Sequence, residues 1–256
     1  MSYNTILVDT RDKVQTITFN RPRVLNAMST ELWGELKDAL NKAKDDPEAK
    51  VLVITGTGKA FSAGTDVKEV TKLISGSGVK IWRLMHDTIT TARYLPKPVI
   101  CAVRGYCIGG ALELMISCDM VIASETARFS MKELEIGIPN IMEAALLVAT
   151  IGNLRAKELC YTADWWDAQK AEKVGLVNEV VADDKLEERV KEVATKMANK
   201  DPLALAVQKD IINKWLTTDL EAAMDYSIMA MMQCQGSEGQ KEGMRAFLEK
   251  RGPKSG

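Results

Sequence analysis

A carboxylate set among apolar residues, just past a pair of glycines, is the first candidate for chemistry in this chain. In Gly105-Tyr-Cys-Ile-Gly-Gly-Ala-Leu-Glu113 a glycine turn leads into a helix expected to begin near Gly109, with Glu113 on its first turns. Glycine lets the backbone approach a ligand closely. The first N–H groups of a helix lack internal partners and lie at the positive end of its dipole. Glu113 falls between Leu112 and Leu114, and a carboxylate there is costly to bury without a partner, which argues for a working role. A second turn of similar composition lies upstream, Gly56-Thr-Gly-Lys-Ala-Phe-Ser-Ala-Gly-Thr65-Asp66. Two such turns can aim two backbone donors at one oxygen, the requirement of an oxyanion hole. Asp66 reads as a turn or helix cap.

The elements that must position these turns follow from periodicity. Thr5 to Val8 and Val14 to Phe19 alternate apolar and polar, a hairpin pattern around Asp9-Thr-Arg-Asp12. Ser29 to Ala43 reads as a helix with Ser29 as its cap and Leu32, Leu36 and Leu40 stacked on one side. Val51 to Thr55, Val99 to Val103, Met120 to Ala123, a short Arg128 to Ser130 and Leu176 to Val181 read as strands, the first two short and apolar enough to be buried on both faces. Val79 to Tyr94 is expected to be helical, stopped by Leu95-Pro96-Lys97-Pro98. After Asp183 the pattern becomes helical only, with four helices from Leu186 to Arg251. No repeat or low-complexity linker interrupts the chain.

Composition narrows the field. At 256 residues the chain suits one sizeable domain with an appendage. Its 34 basic and 35 acidic residues nearly cancel, giving no bulk attraction to nucleic acid or anionic membrane. The longest apolar region, Val99 to Ala123, is broken by Arg104, Glu113 and Asp119, which argues against a membrane span. Met-Ser-Tyr-Asn at the start lacks the basic patch and apolar run of a signal peptide, so a cytoplasmic location is expected. The five cysteines show no CxxC spacing and read as buried free thiols. His86 is the single histidine, which argues against both a Cys–His catalytic pair and a zinc site of His and Cys.

Five segments in order resemble the crotonase (enoyl-CoA hydratase/isomerase) superfamily, over almost the whole chain. They are Asn20-Arg-Pro-Arg-Val-Leu-Asn26, Thr55 to Glu69 with its Gly64-Thr65-Asp66, Lys97 to Glu113, Val174-Gly-Leu-Val-Asn-Glu-Val-Val181, and Glu242 to Arg251. The resemblance implies an α/β fold: a crotonase-like spiral of ββα turns over residues 1–195, then a helical oligomerisation domain over 196–256 that builds trimers or dimers of trimers. It implies a coenzyme A thioester as substrate, with no other cofactor. The carbonyl oxygen would lie between the N–H groups of Thr65 and Gly110. The two catalytic glutamates would be Glu113 and Glu133, twenty positions apart as in the hydratases. Arg23, Ala63 and Lys68 would lie along the coenzyme A. Phe247 and Lys250, one helical turn apart and so on one face, would reach a neighbouring subunit's nucleotide.

The activity implied is hydration of an enoyl-CoA double bond in acyl-CoA metabolism. Two carboxyl groups around one water can supply the base and the acid if their surroundings set their protonation states. Two departures stand out. Lys132 replaces the usual proline before the second glutamate, and Ile138-Pro-Asn-Ile-Met-Glu143 replaces a glycine-rich segment. Glu143 is expected either to read a polar acyl group at the far wall of the pocket or to be a first-turn residue favoured by the helix dipole. A hydrolase or isomerase on the same fold is the alternative chemistry. A non-catalytic binding protein is the alternative class, though no basic cluster with interleaved aromatics supports it.

Overall fold

The chain begins with a hairpin in which β1 (Ile6–Arg11) pairs antiparallel with β2 (Val14–Phe19), from Ile6 opposite Phe19 to Arg11 opposite Val14. The turn is tighter than the sequence suggests. Asp12 and Lys13 alone make it, at φ of 51° and 68°, the left-handed pair whose twist matches two right-twisted strands. The computed structural model describes residues 3–72 and 78–252.

Next come α1 (Thr30–Asp45), β3 (Val51–Gly56), β4 (Ala60–Ser62), α2 (Val67–Val70) and α3 (Val79–Tyr94). Then follow β5 (Val99–Val103), β6 (Tyr106–Ile108), α4 (Gly110–Ile116), β7 (Met120–Ser124) and β8 (Arg128–Ser130). After two short turns, Glu133–Ile136 and Met142–Ala145, the chain forms α5 (Leu146–Ile151), α6 (Asn153–Thr162), β9 (Trp166–Asp167), α7 (Ala168–Val174) and β10 (Glu179–Val181). The helical end is α8 (Leu186–Ala198), α9 (Pro202–Trp215), α10 (Leu220–Met231) and α11 (Glu238–Leu248).

The strands divide between two sheets, one in the order β1-β2-β3-β5-β7-β10 and a smaller one in the order β4-β6-β8-β9. In the pairs β3–β4, β5–β6 and β7–β8, the first strand joins the large sheet and the second the small one, before helices carry the chain on. That is the ββα spiral which the resemblance to the crotonase superfamily implies. Ala60–Ser62 and Tyr106–Ile108 were not expected as strands. Each has three residues, too few for a period-2 pattern to register. β10 is shorter than expected. Gly175 ends α7 at φ +81°, and Leu176 and Val177 are buried as irregular chain. Asn178 then accepts from Val121 N through its side chain at 2.8 Å.

β5, in the interior of the large sheet, is buried on both faces, which is why it is apolar throughout. Val99, Cys101 and Val103 face the main core, with Trp33, Leu36 and Leu40 of α1 and Ile89 of α3. Ile100 and Ala102 face the other way, against Leu186, Val190 and Ala194 of α8. The expected division after residue 195 therefore falls inside a helix packed on the sheet. α9 is pinned to the core by a buried amine. Lys209 Nζ lies 2.7 Å from Asp119 Oδ2 and 3.0 Å from the carbonyls of Ala92 and Lys97. Among the described residues no helix is long and apolar enough to cross a membrane.

Candidate functional site

Two backbone turns meet at the centre of the site. β4 ends at Ser62, whose hydroxyl donates to Asn26 O at 2.8 Å and accepts from Gly64 N at 3.0 Å. Ala63 N donates to Leu25 O, Met28 N to Gly64 O and Asp66 N to Met28 O. These bonds stitch the 61–66 turn to the 20–28 loop on either side of Thr65. Gly64, at φ +83°, backs onto the second turn so closely that a β-carbon there would lie 2.5 Å from Ile108 O. Gly109 at φ +53° turns the chain into α4, which starts at Gly110. Among the described residues, no acceptor takes the N–H of Thr65 or of Gly110. Asp66 is the cap of α2, as expected, with Oδ1 accepting from Lys68 N and Oδ2 paired with Arg21 at 3.1 Å.

These turns open onto a cavity of 360 Å³. Ala63, Thr65, Gly110, Glu113 and Glu133 all line it. Val67, Trp82, Met85, Ile136 and Ile141 give most of its wall an apolar character. Glu113, on the first turn of α4, is only 2 % exposed. Burial pushes its carboxyl up to about 9, reinforced by the charges of Glu133 and Glu143 and opposed by the N–H groups of Ile141 and Ala144. Glu113 Oε2 has no partner among the described residues. Glu133 lies against the Gly109 backbone and accepts from Asn140 Nδ2 at 2.7 Å. Burial raises its carboxyl too, opposed by its own N–H and by Asn140. Two carboxyl groups of raised proton affinity thus share one largely apolar cavity with two free backbone donors.

The remaining expected residues divide. Lys132, in the usual proline's place, lines the cavity, but its amine is held by Ala163 O at 2.6 Å and Glu135 at 2.8 Å. Arg23 and Lys68 are exposed on the two loops beside the cavity. Phe247 and Lys250 stand exposed on and just after α11 and do not line the cavity within one chain. Glu143 is buried behind the wall, with Oε1 2.6 Å from His86 Nδ1. Sequence reasoning missed Asn140 and His86. Asn140 follows Ile138-Pro139, a turn signal that could have drawn attention to it. His86 and Glu143 are 57 residues apart, and no local pattern joins them. His86 bonds to no cysteine, and among the described residues no cluster of His, Cys, Asp and Glu could hold a metal.

The chain resembles known proteins over nearly its whole length. The sequence profile described as enoyl-CoA hydratase/isomerase matches residues 9–255. The chain is 36 % identical over 253 residues to a protein named crotonyl-CoA hydratase from Syntrophomonas wolfei, covering 98 % of this chain and 97 % of that one. It is 35 % identical, with the same coverage, to a short-chain-enoyl-CoA hydratase from Clostridium acetobutylicum. Among solved structures, an enoyl-CoA hydratase from Bacillus anthracis superposes with a TM-score of 0.94 at 34 % identity, over 98 % of each chain. By sequence over nearly its full length and by fold, the chain belongs to the enoyl-CoA hydratase/isomerase family.

Proposed function

We propose that this protein adds water across the α,β-double bond of an enoyl-CoA thioester. The observation that carries this reading is the pair Glu113 and Glu133, both raised in proton affinity, on one cavity with the free N–H groups of Thr65 and Gly110. The thioester oxygen would sit between those N–H groups. Attack of water at the β-carbon drives negative charge onto that oxygen, and fixed donors stabilise it without reorganising. One carboxylate takes a proton from the water while the other carboxyl delivers one to the α-carbon. Glu113, pushed up to about 9, keeps its proton at neutral pH. The apolar wall suits an aliphatic acyl group and excludes competing water. The names of the relatives, crotonyl-CoA hydratase and short-chain-enoyl-CoA hydratase, support the same substrate class.

Coenzyme A would run out of the cavity past Ala63 toward the exposed cations Arg23 and Lys68. Phe247 and Lys250 would complete its site from a second copy in a homotrimer. Supporting this, Phe247 is 82 % and Leu248 81 % exposed, and Ile228 and Met229 of α10 are exposed too, apolar faces that call for cover.

The test is turnover of crotonyl-CoA with identification of the product by mass. Gain of one water with the thioester intact supports hydration, whereas free coenzyme A or an unchanged mass refutes it. Glu113→Gln and Glu133→Gln should each lower kcat about a hundredfold or more, with little change in thioester affinity.

A further inference from the structure

Behind the cavity wall lies a polar contact that the proposed chemistry does not use. Glu143 sits in the Met142–Ala145 turn, 7 % exposed. Its Oε1 is 2.6 Å from His86 Nδ1, and its Oε2 is buried with no partner among the described residues. With Glu143 as the carboxylate, Nδ1 is the donor of this contact. His86 lies on α3 next to Met85, which lines the cavity, and its own side chain is half exposed to solvent.

The same turn packs against α4, which carries Glu113, and its Ile141 and Met142 line the cavity with that carboxyl. Met142 has φ +54°, a strained value for a side chain of its size. Such a turn keeps its shape only if its surroundings impose it, and the His86–Glu143 hydrogen bond fastens it to α3.

We propose that His86 and Glu143 act together as positioning residues for Glu113, the imidazole tying the 141–145 turn to α3 and the carboxylate it holds setting the charge that Glu113 faces. This rests on the reading of Glu113 as a proton-transferring group. Around Glu113 the titratable groups are Glu133 from the 133–136 turn, Cys160 from α6 and Glu143 itself. Lys132 lines the same cavity but is held on Glu135 and Ala163. Around His86 they are Arg83 and Asp87 on its own helix and Lys37 of α1, which pairs with Asp87. Burial is the first cause of Glu113's raised proton affinity, and the charges of Glu133 and then Glu143 add to it. A like charge held close favours the neutral acid.

The experiment titrates Glu113 in the unliganded protein by infrared spectroscopy, following the protonated carboxyl band that disappears in Glu113→Gln. Glu143→Gln should move the midpoint down by about one pH unit. His86→Phe removes the hydrogen bond that fixes Glu143 beside Glu113 and should move the midpoint the same way. It should also lower kcat by about tenfold to a hundredfold at unchanged KM, through misplacement of Glu113. Glu143→Asp keeps the charge and shortens the reach, so the midpoint should hold while kcat falls. A midpoint unmoved in both Glu143→Gln and His86→Phe overturns the inference, even if both variants lose stability. If one variant fails to fold, the other decides. If the midpoint shifts as expected but the wild type turns over no enoyl thioester, the hydratase reading fails and this one stands. Normal turnover with an unmoved midpoint does the reverse.

Discussion

A β-carbon added at Gly109 would lie 2.2 Å from Glu133 Oε1. The second carboxylate of the site thus rests directly on the backbone of the turn that starts α4. Gly109→Ala would have to displace Glu133 and adopt φ near +53°, which a side chain resists. We expect kcat to fall about a hundredfold, since misplacement on this scale costs about that much. Steady-state kinetics with crotonyl-CoA, beside a thermal melt showing the variant folded, checks this. Near wild-type kcat would mean that Glu133 can work from another place.

The buried acid leaves a mark on stability. Glu113 is raised from 4.5 to about 9 in the folded chain. Below the unfolded value both states are protonated and nothing is lost. As pH rises toward 9 the unfolded chain gives up a proton that the folded one keeps, so stability declines. Glu113→Gln stays neutral at every pH and escapes the decline. Relative to wild type it should gain about 2.5 kcal/mol between about pH 5 and about pH 7. Urea unfolding at the two pH values measures it. A constant difference between the two proteins would show that Glu113 is not held protonated.

Asn140 acts in the opposite sense on the other carboxyl. Its amide donates to Glu133 Oε2 and favours the ionised form. Asn140→Leu removes the donor, so Glu133 should hold its proton to higher pH. The acid limb of the kcat/KM profile should therefore move up by a fraction of a unit or more, with the alkaline limb little changed. A profile that only drops in height would assign Asn140 to packing alone.

The exposed face of α11 makes a different claim. Truncation after Gly236 removes Phe247, Leu248 and Lys250 together. If a second copy uses these residues, oligomeric state by light scattering and coenzyme A affinity by calorimetry should fall together. A truncated chain that keeps its assembly and its affinity would end the idea of a site completed in trans.

Much of this architecture was legible because burial on two faces writes itself into β5 as an unbroken apolar run, and amphipathic helices such as α1 carry their own period. Glu113 was legible for the converse reason, a charge where the pattern demands an apolar residue. Of the small sheet only β8 was legible, as the short strand Arg128–Ser130; β4, β6 and β9 were not, because two or three residues paired across the spiral carry no period of their own. The far wall was read only in outline. Glu143 could be seen as unusual, but its partner comes from another turn of the spiral, and only packing α3 against the 142–145 turn brings His86 to it. The tight turn at Asp12–Lys13 was missed because its residues look like any polar loop. Strand twist, which no single residue expresses, selects it.

The unclaimed N–H groups of Thr65 and Gly110 have a consequence for how this site should be interrogated. They belong to the main chain, so every residue but proline supplies them. An alanine scan of the two turns would register steric damage at the glycines and pass silently over Thr65. Replacing the amide at either position by an ester, through semisynthesis, exchanges the N–H for an oxygen, removes the donor and leaves every side chain in place. If these groups receive the thioester oxygen, that one N–H should matter more to turnover than the whole side chain of Thr65.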